Sequence, residues 1–137
     1  MGTENIICDT DVLIDYLDDN HLRHQETNYI ISNHIGFENI LISAISKMEL
    51  LKGARNKREL FTIDTRIKRF NILLINHQIT DIAIDLIYRY NLSHNLALPD
   101  ALIAATALYT QPPLFTYNSK DFKYIDQLRL FNKLSAK

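Results

Sequence analysis

The feature that most constrains this chain is a change of hydrophobic period that recurs along it. Ile6-Ile7-Cys8 is a short apolar run that stops at Asp9. From Thr10 onward the apolar positions Val12, Leu13, Tyr16 and Leu17 fall at helical spacing. The same switch follows Asn39-Ile40-Leu41-Ile42 and Ile72-Leu73-Leu74-Ile75, and Leu114-Phe115-Thr116 runs into a further short helical stretch. A short apolar run without alternation suits a strand buried on both faces. Strands that alternate with helices predict an α/β fold, with a mainly parallel sheet of four to five strands and helices on both faces. In such a sheet the strand-to-helix junctions emerge along one edge, the edge where ligands bind.

The pattern predicts particular boundaries. A first helix covers Thr10 to Leu17, and a second covers 22–34 with Gly36 as its C-cap. Ser43 is an N-cap for a helix that stops at Gly53, and Ser46-Lys47-Met48-Glu49 has the form of a capping box. A helix follows over 56–69. Thr80 is read as the cap of the next helix, which gives way to a polar loop over 91–95. Pro99 suits the first turn of a helix through Leu108 that is apolar nearly all round, hence buried. Pro112-Pro113 ends it. Ser119 is read as the cap of a short helix to about Ile125, and 128–131 as a last edge strand.

With 137 residues and 47% hydrophobic residues the chain fits one domain over 1–137. One cysteine excludes an internal disulfide framework, and Cys8 reads as a buried core thiol. No apolar run approaches the roughly 20 residues of a membrane helix. The N-terminus has neither a basic leader pattern nor an acylation signal, so a cytoplasmic protein is expected. The net charge of −1 excludes a global basic field. It conceals a division: Asp9, Asp11, Asp15, Asp18 and Asp19 crowd the start, and Lys47, Lys52, Arg55, Lys57 and Arg58 crowd the middle.

The acids follow strands. Asp9 ends the first strand, Glu49 lies in the helix after the second, Asp100 opens the buried helix, and Asn118 and Asp121 follow the fourth strand. Each has a purely structural explanation as well. Asp9 suits an N-cap, Asp100 suits the helix macrodipole, Glu49 suits a capping box, and Asp11 suits an N-cap better than a supporting role. Their common edge is the stronger argument. Carboxylates drawn together raise each other's pKa unless a cation joins them, and an all-oxygen set suits Mg²⁺ or Mn²⁺. Such an ion suits phosphodiester chemistry. No zinc set exists, and His21 and His24 read as surface residues.

Four stretches, in order, resemble the PIN-domain ribonucleases, and within them the VapC toxins of toxin–antitoxin pairs. They are Ile7-Cys8-Asp9-Thr10-Asp11-Val12-Leu13-Ile14-Asp15-Tyr16-Leu17, Ser43-Ala44-Ile45-Ser46-Lys47-Met48-Glu49-Leu50-Leu51-Lys52-Gly53, Leu98-Pro99-Asp100-Ala101-Leu102-Ile103-Ala104-Ala105-Thr106-Ala107 and Phe115-Thr116-Tyr117-Asn118-Ser119-Lys120-Asp121-Phe122. The resemblance implies a PIN-like three-layer αβα sandwich and Mg²⁺- or Mn²⁺-dependent cleavage of RNA. It implies Asp9 and Asp100 as core metal ligands, Glu49 as the helical acid and Asp121 as the fourth. Asn118 stands where many relatives carry an acid. Thr116, Asn118 and Asp11 are supporting candidates. The resemblance further implies a homodimer and a cognate VapB-type antitoxin, with the helices over 21–69 offering it apolar surface. Lys52, Arg55, Lys57 and Arg58 are candidate contacts to RNA phosphates.

Two other readings share parts of the pattern. Asp9-Thr10-Asp11 also resembles the opening of haloacid dehalogenase-like phosphatases, in which Asp9 would be a nucleophile and Asp11 a general acid. A catalytically inactive PIN-like binding module is the other, and it is expected to lack one of Asp9, Glu49 or Asp100.

Overall fold

The computed structural model of the protein describes residues 4–132. The expectations for the extreme N-terminus and for a domain end at 137 concern residues outside that range. Four strands form one sheet: β1 (Ile6–Cys8), β2 (Ile40–Ser43), β3 (Asn71–Leu73) and β4 (Leu114–Phe115). All pairings are parallel and the order is β3-β2-β1-β4. Ile7 is the hub of the register, opposite Leu41 on one side and Leu114 on the other.

Alternation along the strands divides the interior in two. Ile6, Cys8, Ile40, Ile42 and Phe115 face one layer, built from α1 (Thr10–Leu17), α2 (His24–Tyr29), α3 (Ala44–Lys52) and α4 (Lys57–Ile67). Ile7, Leu41 and Leu114 face the other, built from α5 (His77–His94) and α6 (Leu98–Thr110). Burial on both faces explains why these strands are uninterrupted apolar runs. Helix α6 buries Ala101, Ile103, Ala104, Ala105 and Ala107, small side chains that let it lie close against its neighbours. The expected three-layer α/β fold is therefore observed.

The strand order has one consequence for function. The chain runs from β1 outward to β2 and β3, then returns to the opposite side of β1 for β4. The reversal lies between β1 and β4, and the crevice beyond their carboxyl ends is the favoured ligand position in such sheets. Asp9 and Thr116 stand at those two ends.

Several boundaries differ from the sequence reading. The helix expected over 22–34 begins at His24 and loosens after Tyr29 into a wide turn over Ile30–Ile35, closed by a Gly36 amide that donates to the Ile31 carbonyl at 2.7 Å. Gly36 ends it at φ 92, a conformation that a side chain would strain. The next helix after β3 is capped by Asn76, whose Oδ1 accepts from the Ile79 amide at 2.8 Å, not by Thr80. It runs on through the expected loop at 91–95 to His94, and Asn95 closes it in the left-handed region. Ser119–Asp121 is a single tight turn in place of a helix to Ile125. The expected strand at 128–131 reduces to one bridge between Leu114 and Leu130. Ser43 caps α3 as expected, its Oγ accepting from the Ile45 amide at 3.2 Å, whereas Ser46 and Glu49 form no capping box.

Candidate active site

Asp9 leaves β1 and enters α1 at once. Its backbone amide donates to the Phe115 carbonyl at 2.9 Å, which ties it to β4. Its side chain is 5% exposed. Oδ1 accepts from the Thr10 amide at 2.8 Å, and Oδ2 accepts from the Thr116 hydroxyl at 2.8 Å. Asp9 thus sits in the N-cap position of α1 as well as at the crevice, so the two explanations coincide in one residue. The expectation that Asp11 would serve as the cap is not met. Thr10 turns its hydroxyl across to α3, 2.6 Å from Glu49 Oε1 and 2.9 Å from Ser46 Oγ. A hydroxyl has one proton, and the carboxylate is the stronger acceptor, so Thr10 holds Glu49 and Ser46 supports Thr10.

Asp11 is not a cap either. Its Oδ2 accepts from the Tyr117 amide at 3.1 Å, and its Oδ1 is buried without a hydrogen-bond partner among the described residues. Burial pushes its carboxyl up to about 7, and the Asp9 charge adds to the push. Burial likewise raises Asp9, against the pull of the Thr116 and Thr10 hydrogen bonds. Asp100, half-buried at the start of α6, is raised to about 6, first by burial and then by the charges of Asp9, Asp121 and Glu49. Asp100 thus lies within electrostatic reach of three acids far from it in sequence. None of the ion pairs among the described residues reaches them. The acids are therefore uncompensated, and a buried unpartnered oxygen lies among them.

Asp121 acts on Asp100, while Asn118 acts elsewhere: its backbone amide donates to Thr116 Oγ1 at 3.0 Å, and the Thr116 hydroxyl in turn donates to Asp9. Support from Asn118 thus comes through the main chain, which any residue with an amide supplies. Among the described residues no three His, Cys, Asp or Glu side chains are grouped tightly enough to chelate an ion as they stand. The chemistry of the set, all carboxylate oxygen with mutual repulsion unrelieved, is nonetheless that of a hard divalent cation's donors.

The basic candidates lie at the junction of α3 and α4. Lys52, Lys57 and Arg58 are exposed. Arg55 is held by Glu59, with Nη2 and Oε2 2.6 Å apart. A groove of about 520 Å³ runs between α1, α3 and α4, with Ile14, Leu17, Leu50 and Ile63 as apolar wall and Glu49 among its lining residues. Exposed Met48, Leu60 and Phe61 belong to the same two helices, α3 and α4.

Sequence reasoning missed one cluster. Asp15, one turn beyond Asp11 on α1, is 1% exposed. His21 Nδ1 stands 2.8 Å from its Oδ1, Arg23 Nε 2.7 Å from its Oδ2, and His24 Nδ1 2.9 Å from its backbone carbonyl. His21 and His24 are thus half-buried partners of Asp15 and not free surface residues. The Arg23 guanidinium lies 4.1 Å over the Tyr117 ring. The signal available was the i, i+4 spacing of Asp11 and Asp15, which puts both on one helix face.

A parallel α/β sheet whose switch-point crevice is lined with uncompensated acids defines a class of protein that handles cations or phosphates at that edge. Residues 6–128 match the family described as PIN domain, and the chain belongs to the PIN-domain family. It is 29% identical over 132 residues to Ribonuclease VapC1 of Methanocaldococcus jannaschii, across 93% of this chain and 88% of that protein. It resembles a toxin–antitoxin complex chain from Klebsiella pneumoniae at a TM-score of 0.76 and 28% identity, covering 94% of this chain and 98% of that one. FitAcB from Neisseria gonorrhoeae shares the fold at a TM-score of 0.74 and 22% identity, covering 95% and 99%. Family membership displaces the phosphatase alternative.

Proposed function

We propose that this chain is an endoribonuclease and the toxin of a toxin–antitoxin pair, cleaving RNA with Mg²⁺ or Mn²⁺ held by Asp9, Asp100, Glu49 and Asp121. One observation carries the reading: Asp100 lies within electrostatic reach of Asp9, Asp121 and Glu49, and no ion pair among the described residues engages these acids. The relatives named ribonuclease and toxin–antitoxin complex support it. When bound, a divalent ion supplies Lewis-acid stabilisation of phosphate charge and a lower pKa for an attacking water. The chain's own residues do the positioning. Thr116 and the Thr10 amide fix the plane of the Asp9 carboxylate, and Thr10 with Ser46 fixes Glu49. Asp11, supported by Tyr117, adds negative charge beside Asp9. Lys52, Lys57 and Arg58 make sequence-independent contacts to phosphates, while Arg55 braces the α3–α4 junction through Glu59.

The partner follows from the groove. An antitoxin segment with an apolar face fills the wall of Ile14, Leu17, Leu50 and Ile63, and a cationic side chain on it meets Glu49. A second copy of the chain pairs with the first, as the family resemblance implies. Exposed Ile84, Tyr88 and Leu92 on α5 form an apolar stripe of the kind an isologous dimer buries. No helix among the described residues is long and apolar enough to cross a membrane, and the proposed RNA substrate sets the place of action in the cytoplasm.

The test is cleavage of a mixed RNA pool by purified protein. Cutting should appear with Mg²⁺ or Mn²⁺, vanish in EDTA, and vanish in Asp100→Asn. Cutting that persists in EDTA overturns the metal reading. A wild-type chain that binds RNA in Mn²⁺ but never cuts it is the inactive binding module.

A further inference from the structure

Bordering the acid crevice, and sharing Asp100 and Asp121 with it, lies a cavity of about 220 Å³. Asp100 and Asp121 form its inner wall, and His94, Asn95, Lys120 and Tyr124 form the rest that matters here. Its aromatic wall is built firmly. The His94 and Tyr124 rings stack with centroids 3.8 Å apart and planes 9° from parallel. Tyr90 packs edge-on against both, at 6.0 Å and 5.1 Å, and its hydroxyl accepts from the Asp126 amide at 3.2 Å. His94 Nδ1 is engaged by Ser93 Oγ at 2.8 Å, which fixes the ring and leaves Nε2 unengaged by Ser93. His94 is itself exposed, so the stack reaches the surface.

From this arrangement we propose that the cavity is a nucleoside subsite, in which a base of the RNA next to the cleaved phosphate stacks against the His94–Tyr124 pair. The inference rests on the ribonuclease reading and deepens it. Three properties point to a base and not to another group. The cavity is well below the roughly 300–1,000 Å³ of a site for a drug-sized molecule, so it suits one ring system. Its carboxylates keep lone pairs that, where not turned to the metal, accept hydrogen bonds from the exocyclic amino groups of a base. Every base offers a π-face to an aromatic plate. The exposed Lys120 lies on the same rim, where a phosphate one nucleotide along the strand can reach it. The exposed Asn95 carboxamide offers both a donor and an acceptor to a base edge. Its backbone is set in the left-handed region by the end of α5.

The experiment compares steady-state cleavage of a short single-stranded RNA with that of the same RNA carrying an abasic residue at each position flanking the cut. The proteins are wild type, His94→Ala and His94→Phe, each checked by thermal melting. His94→Ala should raise KM by roughly 5- to 100-fold with kcat nearly unchanged. His94→Phe should recover most of that loss. One abasic position should cost wild type the same factor and cost His94→Ala nothing more. That non-additivity is absent if His94 merely packs α5 against the chain terminus. Equal KM in His94→Ala and wild type, or additive losses at every abasic position, overturns the subsite. A wild-type chain without metal-dependent cleavage overturns the ribonuclease reading and takes the subsite with it, an outcome distinct from cleavage indifferent to His94.

Discussion

Helix α1 carries two acids one turn apart, Asp15 buried and Asp11 half-buried, and they live in different surroundings. Asp15 has a histidine nitrogen at 2.8 Å and an arginine nitrogen at 2.7 Å on its two oxygens. Asp11 has one backbone amide and, in place of a cation, the Asp9 carboxyl as its neighbour. Burying a charge is costly unless it is paired. At Asp15 the chain supplies the pair. At the crevice no ion pair among the described residues engages the acids, and Asp9, Asp11 and Asp100 are all pushed up in pKa, first by burial. The difference separates an acid that holds the fold from acids kept open for something that arrives from outside.

The largest effect should come from the open side. Asp100→Asn removes a carboxylate from the crevice without changing its shape. Several kcal/mol of transition-state stabilisation correspond to a loss of about a thousandfold or more in RNA cleavage. Urea unfolding of the same variant should show stability equal to or above wild type, because one uncompensated charge has gone. A variant that loses cleavage and also unfolds would put Asp100 with Asp15, among the structural acids.

The sequence made the crevice legible because Asp9 and Asp100 sit where the hydrophobic period changes, and a period change marks a strand end or a helix start. Their convergence needed only the parallel topology. What stayed hidden was determined by contacts across elements. Ser46 and Glu49 have capping-box spacing, yet α3 begins at Ala44, so Ser46 points inward and Glu49 meets Thr10 from another helix. Asp15 reads as one more surface acid because its partners lie in a turn without periodicity. Helix α5 runs through polar Asn91 and Ser93 because it is long enough to carry them, and the stop is left to the left-handed Asn95. The expected edge strand shrank to one bridge, since 128–131 meets β4 only at Leu114.

A smaller effect belongs to the link between the two sides of the crevice. Thr116→Val keeps the shape at the end of β4 and removes the proton that holds Asp9 Oδ2. Residues that orient a ligating carboxylate cost about 10- to 100-fold when removed. Cleavage should fall by that factor, with a parallel fall in Mn²⁺ affinity measured by titration calorimetry. Thr116→Ser should keep most of both. If Thr116→Val retains full Mn²⁺ affinity, Asp9 is held by the Thr10 amide alone.

The paired side should answer in stability and not in chemistry. Arg23→Met leaves Asp15 with His21 only and takes the cation from the Tyr117 ring. Removing one member of a buried pair costs about 3–5 kcal/mol, and the partial exposure of Arg23 lowers the expected cost to roughly 1–3 kcal/mol. Chemical denaturation reads this directly. A neutral outcome would mean that His21 alone compensates Asp15.

The smallest effect is a slope. Asp11 has its carboxyl raised to about 7 in the folded chain, by burial first and then by Asp9, against an ordinary value of 3.8. A raised carboxyl binds its proton more tightly in the folded state than in the unfolded one, so the folded state carries more protons between those two values. Stability from this group is complete below the unfolded value and is lost as pH rises through about 7. Unfolding free energy of the metal-free protein should therefore decline from pH 4 to pH 8 by more in wild type than in Asp11→Asn, which cannot ionise. The difference should be on the order of 1–2 kcal/mol. In the variant, the carboxamide oxygen can keep the Tyr117 amide and its NH₂ can donate to Asp9. Saturating Mn²⁺ should erase the wild-type decline, because a bound cation favours the ionised carboxylates that burial disfavours. Persistence of the full decline in Asp11→Asn would move the titrating group to Asp9 or Asp100, the other two raised acids.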